Sequence, residues 1–166
     1  MDTIQFELGG GISLTLPART VAQRLIENLQ EQPTPKTFPK LGEYLPSQGG
    51  IYVGQRLIDG QTHHIIMSGG VGHDIKASYN NAAERIAAKG EINGFSDWRH
   101  GSQEDLMLAY INAREHFHRK GEESLQVTST PYGSSFAWVV GFEGGSVDFS
   151  RRCHEFLVRP FRSFIA

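Results

Sequence analysis

The stretch from Gly94 to Leu106 constrains this chain more than any other. It delivers an aromatic turn, Gly94-Phe95-Ser96-Asp97-Trp98-Arg99, through His100-Gly101 directly into a helix start. Ser102 followed three residues later by Asp105, ahead of Leu106-Met107-Leu108, is a capping box with Asp in place of the usual Glu or Gln. The hydroxyl satisfies an amide that helix geometry leaves unpaired, and the acid suits the positive helix start. Leu106, Tyr110, Ala113 and Phe117 then recur at helical spacing, so the predicted helix lays one face on a core before Gly121 ends it.

The chain around this hub reads as short elements separated by turns. Ile4, Phe6 and Leu8, then Gly9-Gly10-Gly11, then Ile12, Leu14 and Leu16 form an alternating hairpin pattern. Thr20 is placed to cap a helix reaching about Gln30, with Val21, Leu25, Ile26 and Leu29 on one face. Residues 32–48 hold Pro33, Pro35, Pro39 and Pro46 and read as an extended connector, so residues 1–31 form a hairpin-helix appendage. That appendage is small for independent stability, and either packs on the main domain or serves docking or homo-oligomerisation. The main domain, residues 49–166, opens with two strands joined at Asp59-Gly60, a strong hairpin signal. A short helix over about Tyr79 to Lys89, closed by Gly90, precedes the hub. Beyond it come strands near 125–129, 136–142, 146–149 and 156–164. The predicted class is α+β with mostly antiparallel pairing, because the last connections are too short for crossovers.

Composition narrows the function classes. A formal charge of -2 with 20% charged residues argues against a general nucleic-acid surface, and no apolar run is long enough for a membrane span. The lone Cys153 permits no intrachain disulfide, and the Met1-Asp2-Thr3-Ile4 start does not read as a signal peptide. A bacterial cytoplasm or a virion is the expected location.

Five elements in order resemble the DUF1566 family, also called the Lcl C-terminal domain family: the aromatic turn 94–99, the capped start 102–106, Thr128-Ser129-Thr130, Ala137-Trp138 with Phe142 and Gly145, and Val158-Arg159-Pro160-Phe161-Arg162. The resemblance spans about residues 49–164 and implies a C-type-lectin-like fold: two helices, a twisted antiparallel sheet and termini close together. It also implies a setting among bacterial surface, phage and prophage proteins. His100-Gly101 stands where that family has Leu-Pro, and Val127 where it has tryptophan. Trp98, Trp138 and Phe161 are expected in the core, and Arg99 and Arg159 as buried partners of acids such as Asp97.

Catalytic chemistry finds little footing. His63-His64 on a strand point to opposite faces and His116-x-His118 on a helix diverge, so neither pair chelates one ion. His73-Asp74 is the strongest remaining metal or hydrolase candidate. The glycine loop Ser68 to Gly72 lacks the lysine of a phosphate-binding loop and the spacing of a dinucleotide fingerprint. No second cysteine accompanies Cys153 for a paired-thiol oxidation site, and the sugar-binding tripeptides Glu-Pro-Asn and Trp-Asn-Asp do not occur. No catalytic residue, metal site or cofactor is therefore assigned. The expected function is non-enzymatic binding of a protein or glycan by the C-terminal sheet, through Tyr132, Ser134, Ser135, Glu143, Ser146, Asp148, Arg151, Arg152, His154 and Glu155 around alternating Ala137, Val139, Val147 and Phe149. The alternative is an intracellular phage-encoded inhibitor that blocks a host protein.

Overall fold

Alternation in the first residues produces β1 (Thr3–Leu8) and β2 (Ile12–Pro17), an antiparallel pair in which Ile4 faces Leu16 and Phe6 faces Leu14. The chain turns out of β2 straight into α1 (Ala18–Gln30), and the Ala18 N–H donates to the Asp2 carbonyl at 2.9 Å. Thr20, expected as the cap, thus lies inside the helix. The computed structural model describes residues 2–8, 12–30 and 39–165, so the Gly9-Gly10-Gly11 turn and Pro33 and Pro35 lie outside the described residues. The chain divides into two compact units, Met1–Phe38 and Pro39–Ala166. No described side chain of the first unit is buried, and Ile4, Phe6, Leu14, Leu25 and Ile26 are exposed.

The second unit begins earlier than the proline pattern suggests. Residues 39–48 carry specific contacts instead of forming a spacer: β3 (Tyr44–Leu45) pairs with β4 (Gly50–Ile58), and the Gly42 N–H donates to the Tyr52 carbonyl at 2.9 Å. Strand β4 pairs with β5 (Gln61–Met67) through the expected turn, with Asp59 at φ 50° and Gly60 at φ 79°. Then follow β6 (Ile75–Ser78), α2 (Ala82–Ala87), β7 (Arg99–His100) and α3 (Gln103–Ala113). Four strands follow in the C-terminal part: β8 (Leu125–Tyr132), β9 (Phe136–Gly141), β10 (Val147–Arg151) and β11 (Glu155–Val158), before the last strand, β12 (Pro160–Phe164). The class is α+β. In place of a single sheet there are two of five strands, ordered β3-β4-β5-β12-β7 and β10-β9-β8-β11-β6. Pairing is antiparallel except for one parallel contact, Leu157 with Gln126. Among the described residues, no helix is long and apolar enough to cross a membrane.

Two apolar cores hold the unit together. In one, Ile51, Val53, Ile65, Met67 and Phe161 meet Leu106, Ala109 and Ala113 of α3, together with Phe117, Val140 and Phe142. In the other, Tyr52 and Ile66 meet Ile86, Trp98, Val127, Ala137, Val139 and Val158. Helix α3 is fixed by the capping box: Ser102 Oγ accepts from the Asp105 N–H at 3.3 Å, and Asp105 Oδ2 accepts from the Ser102 N–H at 3.0 Å. It ends at Ala113, sooner than expected. Residues Arg114–His116 tighten into a 3-10 turn that sends Phe117 inward to stack on Phe142 at 3.8 Å.

The segment expected as one last strand is two, and Arg159 lies between them. Its side chain is fully buried: Nε donates to Asp74 Oδ1 at 2.8 Å, Nη1 to the Gly69 carbonyl and Nη2 to the His116 carbonyl at 3.3 Å. Pro160, having no N–H, helps break the ladder there. Neither Arg159 nor Arg99 pairs with Asp97, as the sequence had suggested. Arg99 binds Asp105 at 2.6 Å, and Asp97 takes a two-pronged contact from Arg162, at 2.7 and 3.0 Å. Removing one member of a buried pair strands the other charge, whereas an exposed pair is screened by water. Asp74→Ala should therefore lower stability by about 3–5 kcal/mol, while Arg85→Ala, which breaks the exposed pair with Glu155, should cost about 1 kcal/mol or less, both read from urea unfolding.

Candidate functional site

Strand register decides what the C-terminal sheet shows to solvent. Across β8, β9 and β10, Tyr132 stands opposite Phe136, Arg151 opposite Phe136, Phe149 opposite Trp138 and Val147 opposite Val140. Directly opposed residues share a face, so these side chains project the same way. Helix α3 covers only one end of that face, where Val140 and Val147 join its core. Beyond the helix the face is uncovered, and four aromatic rings stand there. Tyr132 stacks on Phe149 with centroids 4.5 Å apart, Trp138 meets Tyr132 edge-on at 4.8 Å and Phe136 meets Phe149 edge-on at 5.5 Å. Tyr132 remains 42% exposed and Phe149 46%. Trp138, expected in the core, is half-buried at this surface because the small Ala137 and Val139 take the inward positions.

Beside the rings lies an open concavity of about 550 Å³. It brings together four residues of the expected binding set, Ser134, Ser135, Arg151 and Arg152, with Asn80, Phe136 and Cys153. Arg152 is built into its wall. Nε donates to the Phe136 carbonyl at 3.2 Å and Nη2 to the Gly133 carbonyl at 2.7 Å, while the guanidinium lies 4.6 Å from the Tyr79 ring centre. The Arg151 side chain is exposed and has no hydrogen-bond or ionic partner among the described residues.

The other expected residues disperse, because the turns between strands reset the alternation. Glu143 caps the Gly121 N–H at 3.1 Å, and Ser146 closes the β9–β10 turn by accepting from the Gly141 N–H at 2.8 Å. Asp148 points to the other face of the sheet and accepts the Phe149 N–H at 2.8 Å. That contact occupies an amide on β10, which is an edge strand, and so blunts the edge. His154 meets Ser150 at 3.0 Å, and Glu155 meets Arg85 at 3.2 Å. Phe136, Asn80 and Cys153 lie outside the expected set, and Trp138 and Phe149, expected inward, stand on the uncovered face. The signal was the pattern Phe136-Ala137-Trp138-Val139, in which the large aromatics alternate with small apolar residues.

His63, His64, His100, His116 and His154 have structural partners. Asp74 Oδ1 accepts from Arg159 and from Gln126 Nε2 at 3.1 Å, while no hydrogen bond joins His73 to Asp74 among the described residues. The loop from Ser68 is likewise committed, its Gly69 carbonyl bound to Arg159. His64 Nδ1 lies 3.0 Å from the Tyr52 hydroxyl, and His63 Nδ1 lies 3.3 Å from Ser163 Oγ. His116 and His118 sit past the end of α3, where His116 Nε2 donates to the Gly42 carbonyl at 3.1 Å. Among the described residues, no three His, Cys, Asp or Glu side chains are grouped to hold a metal ion. No protein-family model matches the chain, and no curated protein matches it.

His100 ties the hub to β8. Its Nε2 lies 2.9 Å from the Val127 carbonyl and must carry the hydrogen, since a carbonyl only accepts. Gly101 fits the same close packing, for a Cβ there would lie 2.5 Å from Phe161 Cδ2. Burial holds His100 below the ordinary imidazole range. The hydrogen bond to Val127 opposes that shift and the charge of Arg99 adds to it. His73 is lowered too, by burial and by Arg159, against the opposing charge of Asp74. The unfolded chain thus takes up these protons near pH 6.5, before the folded one does, and stability is full above that value and declines as pH falls through it. His100→Gln should flatten the decline between about pH 7 and pH 5, measured as the shift in urea midpoint; an unchanged decline would show that His100 does not contribute to it.

Proposed function

We propose that this chain is a non-enzymatic recognition protein whose second unit binds another protein through the uncovered face of β8, β9 and β10. The observation that carries this reading is the four-ring cluster of Tyr132, Phe136, Trp138 and Phe149 at the surface, in which Tyr132 is 42% and Phe149 46% exposed and the other two rings are half-buried. Large apolar groups grouped at a surface mark interaction sites, and tyrosine, tryptophan and arginine dominate binding energy at protein interfaces. A protein is favoured over a glycan because the rings engage one another, stacked and edge-on, and do not lie side by side as a flat platform for a sugar ring.

The C-type-lectin-like assignment is part of the same proposal. It is supported by α2 and α3 placed between the β4–β5 hairpin and the C-terminal strands, and by β12 pairing with β5, which joins the two ends of the unit in one sheet. The resemblance adds a phage or prophage origin to the proposal.

The test is a comparison of two surface variants of the full chain. Tyr132→Ser with Phe149→Ser alters the proposed face, and Leu57→Ser with Ile111→Ser removes exposed apolar groups elsewhere. Against a partner captured by the native chain and then purified, the first variant should bind at least about 30-fold more weakly by calorimetry, and the second should match the native protein. Equal binding by the native chain and the first variant would refute the assignment of this face.

A further inference from the structure

We infer that the concavity beside the rings is a carboxylate subsite, so that the partner segment read by this face is acidic. The inference rests on the recognition reading above and adds the chemistry of what is recognised. Two guanidinium groups, Arg151 and Arg152, line the concavity and no carboxylate does. In a chain of formal charge -2 this positive character is local. Arg152 is held in advance by the Phe136 and Gly133 carbonyls and by the Tyr79 ring. Those bonds use Nε and one Nη2 hydrogen, and a guanidinium has five donors, so others remain for a ligand. Arg151 spends none of its donors on the described residues. Ser134, Ser135 and Asn80 add neutral hydrogen-bonding groups around the same space. A planar carboxylate meets such a set with paired charge-assisted hydrogen bonds.

Spacing makes the inference more specific. Phe149 and Arg151 are two residues apart on β10 and share its ring-bearing face, which sets them about 7 Å apart along the strand. An extended peptide repeats its side chains on one face at the same interval. A segment lying over this face and seating an apolar side chain on Phe149 and Trp138 therefore brings its next same-face residue to Arg151 and the concavity. The favoured sequence has an apolar or aromatic residue and an Asp or Glu two positions from it. Addition of the segment as a new strand on β10 is disfavoured, because Asp148 already holds the Phe149 amide.

The experiment selects a displayed random dodecapeptide library on the full chain, then measures the enriched peptides, their Glu→Gln or Asp→Asn counterparts, and a galacturonate hexamer by calorimetry. Arg151→Gln is the informative variant, since its side chain holds nothing in the fold; Arg152→Lys serves as a second. Enriched peptides should show the apolar-x-acidic pattern, and the amide counterparts should bind about tenfold more weakly to the native chain. Arg151→Gln should no longer distinguish the two peptides. The acidic peptide should also slow alkylation of Cys153, the chain's single cysteine, which lines the concavity and is exposed. If acidic and amide peptides bind the native chain equally while Tyr132→Ser with Phe149→Ser abolishes binding, the carboxylate subsite is refuted and the recognition face stands. Peptide binding indifferent to both sets of substitutions refutes both. Binding of the galacturonate hexamer with no peptide enriched, or no binding by any probe, overturns the acidic-peptide inference.

Discussion

The buried guanidinium of Arg159 is the interaction on which the second unit depends. It sits where the chain leaves β11 in one sheet and starts β12 in the other, and it ties that crossing to Asp74, to the Gly69 carbonyl, to the His116 carbonyl and to the Phe117 ring. The tethers come from two separate parts of the chain, residues 69–74 and 116–117. One charge thus fixes the glycine loop after β5, the turn after α3 and the register of the last two strands. The arrangement is not fully satisfied, since Asp74 Oδ2, Ser68 Oγ and Gln126 Oε1 are buried without a protein partner. A buried ion pair of this kind is weak as a source of net stability, whereas loss of one member leaves an uncompensated buried charge and is costly.

Two further charged clusters extend that control outward. Arg162 joins Asp97 to the Gln48 side chain, and Asp105 gathers Arg56 and Arg99 at the start of α3. These contacts set where α3 begins and which part of the second sheet it covers. The aromatic surface exists because that coverage stops: Val140 and Val147 lie in the core with α3, while Trp138 and Phe149, one register step away on the same face, remain in contact with water. The exposed aromatic face is therefore an outcome of the hub's geometry although no residue of the hub belongs to it.

Local signals were legible in the sequence and long-range ones were not. The capping box at Ser102 and Asp105 is present with both of its hydrogen bonds, and Asp59-Gly60 makes the expected hairpin turn. Each depends on residues a few positions apart. The partner of Arg159 lies 85 residues away and that of Arg162 lies 65 away, and no spacing rule names such pairs. The candidate site was half-legible for a related reason. Alternation correctly places Ala137 and Val139 inward, but extending it across the turns at residues 142–146 and 152–154 groups side chains that the turns separate. The concavity gathers Ser134, Ser135, Arg151 and Arg152 from that set, because the antiparallel pairing of Phe136 with Arg151 sets the β8–β9 turn beside the β10–β11 turn.

Rings proposed to serve recognition should add little to folding, and their contribution to stability is measurable without any partner. Urea unfolding of Tyr132→Ala with Phe149→Ala should show a loss of about 2 kcal/mol or less, the worth of partial burial and one ring stack. Phe161→Ala, which empties a fully buried position, should lose about 3–5 kcal/mol. A loss in the double variant equal to or greater than that of Phe161→Ala would show that the rings form part of the core, and would contradict a role confined to the surface.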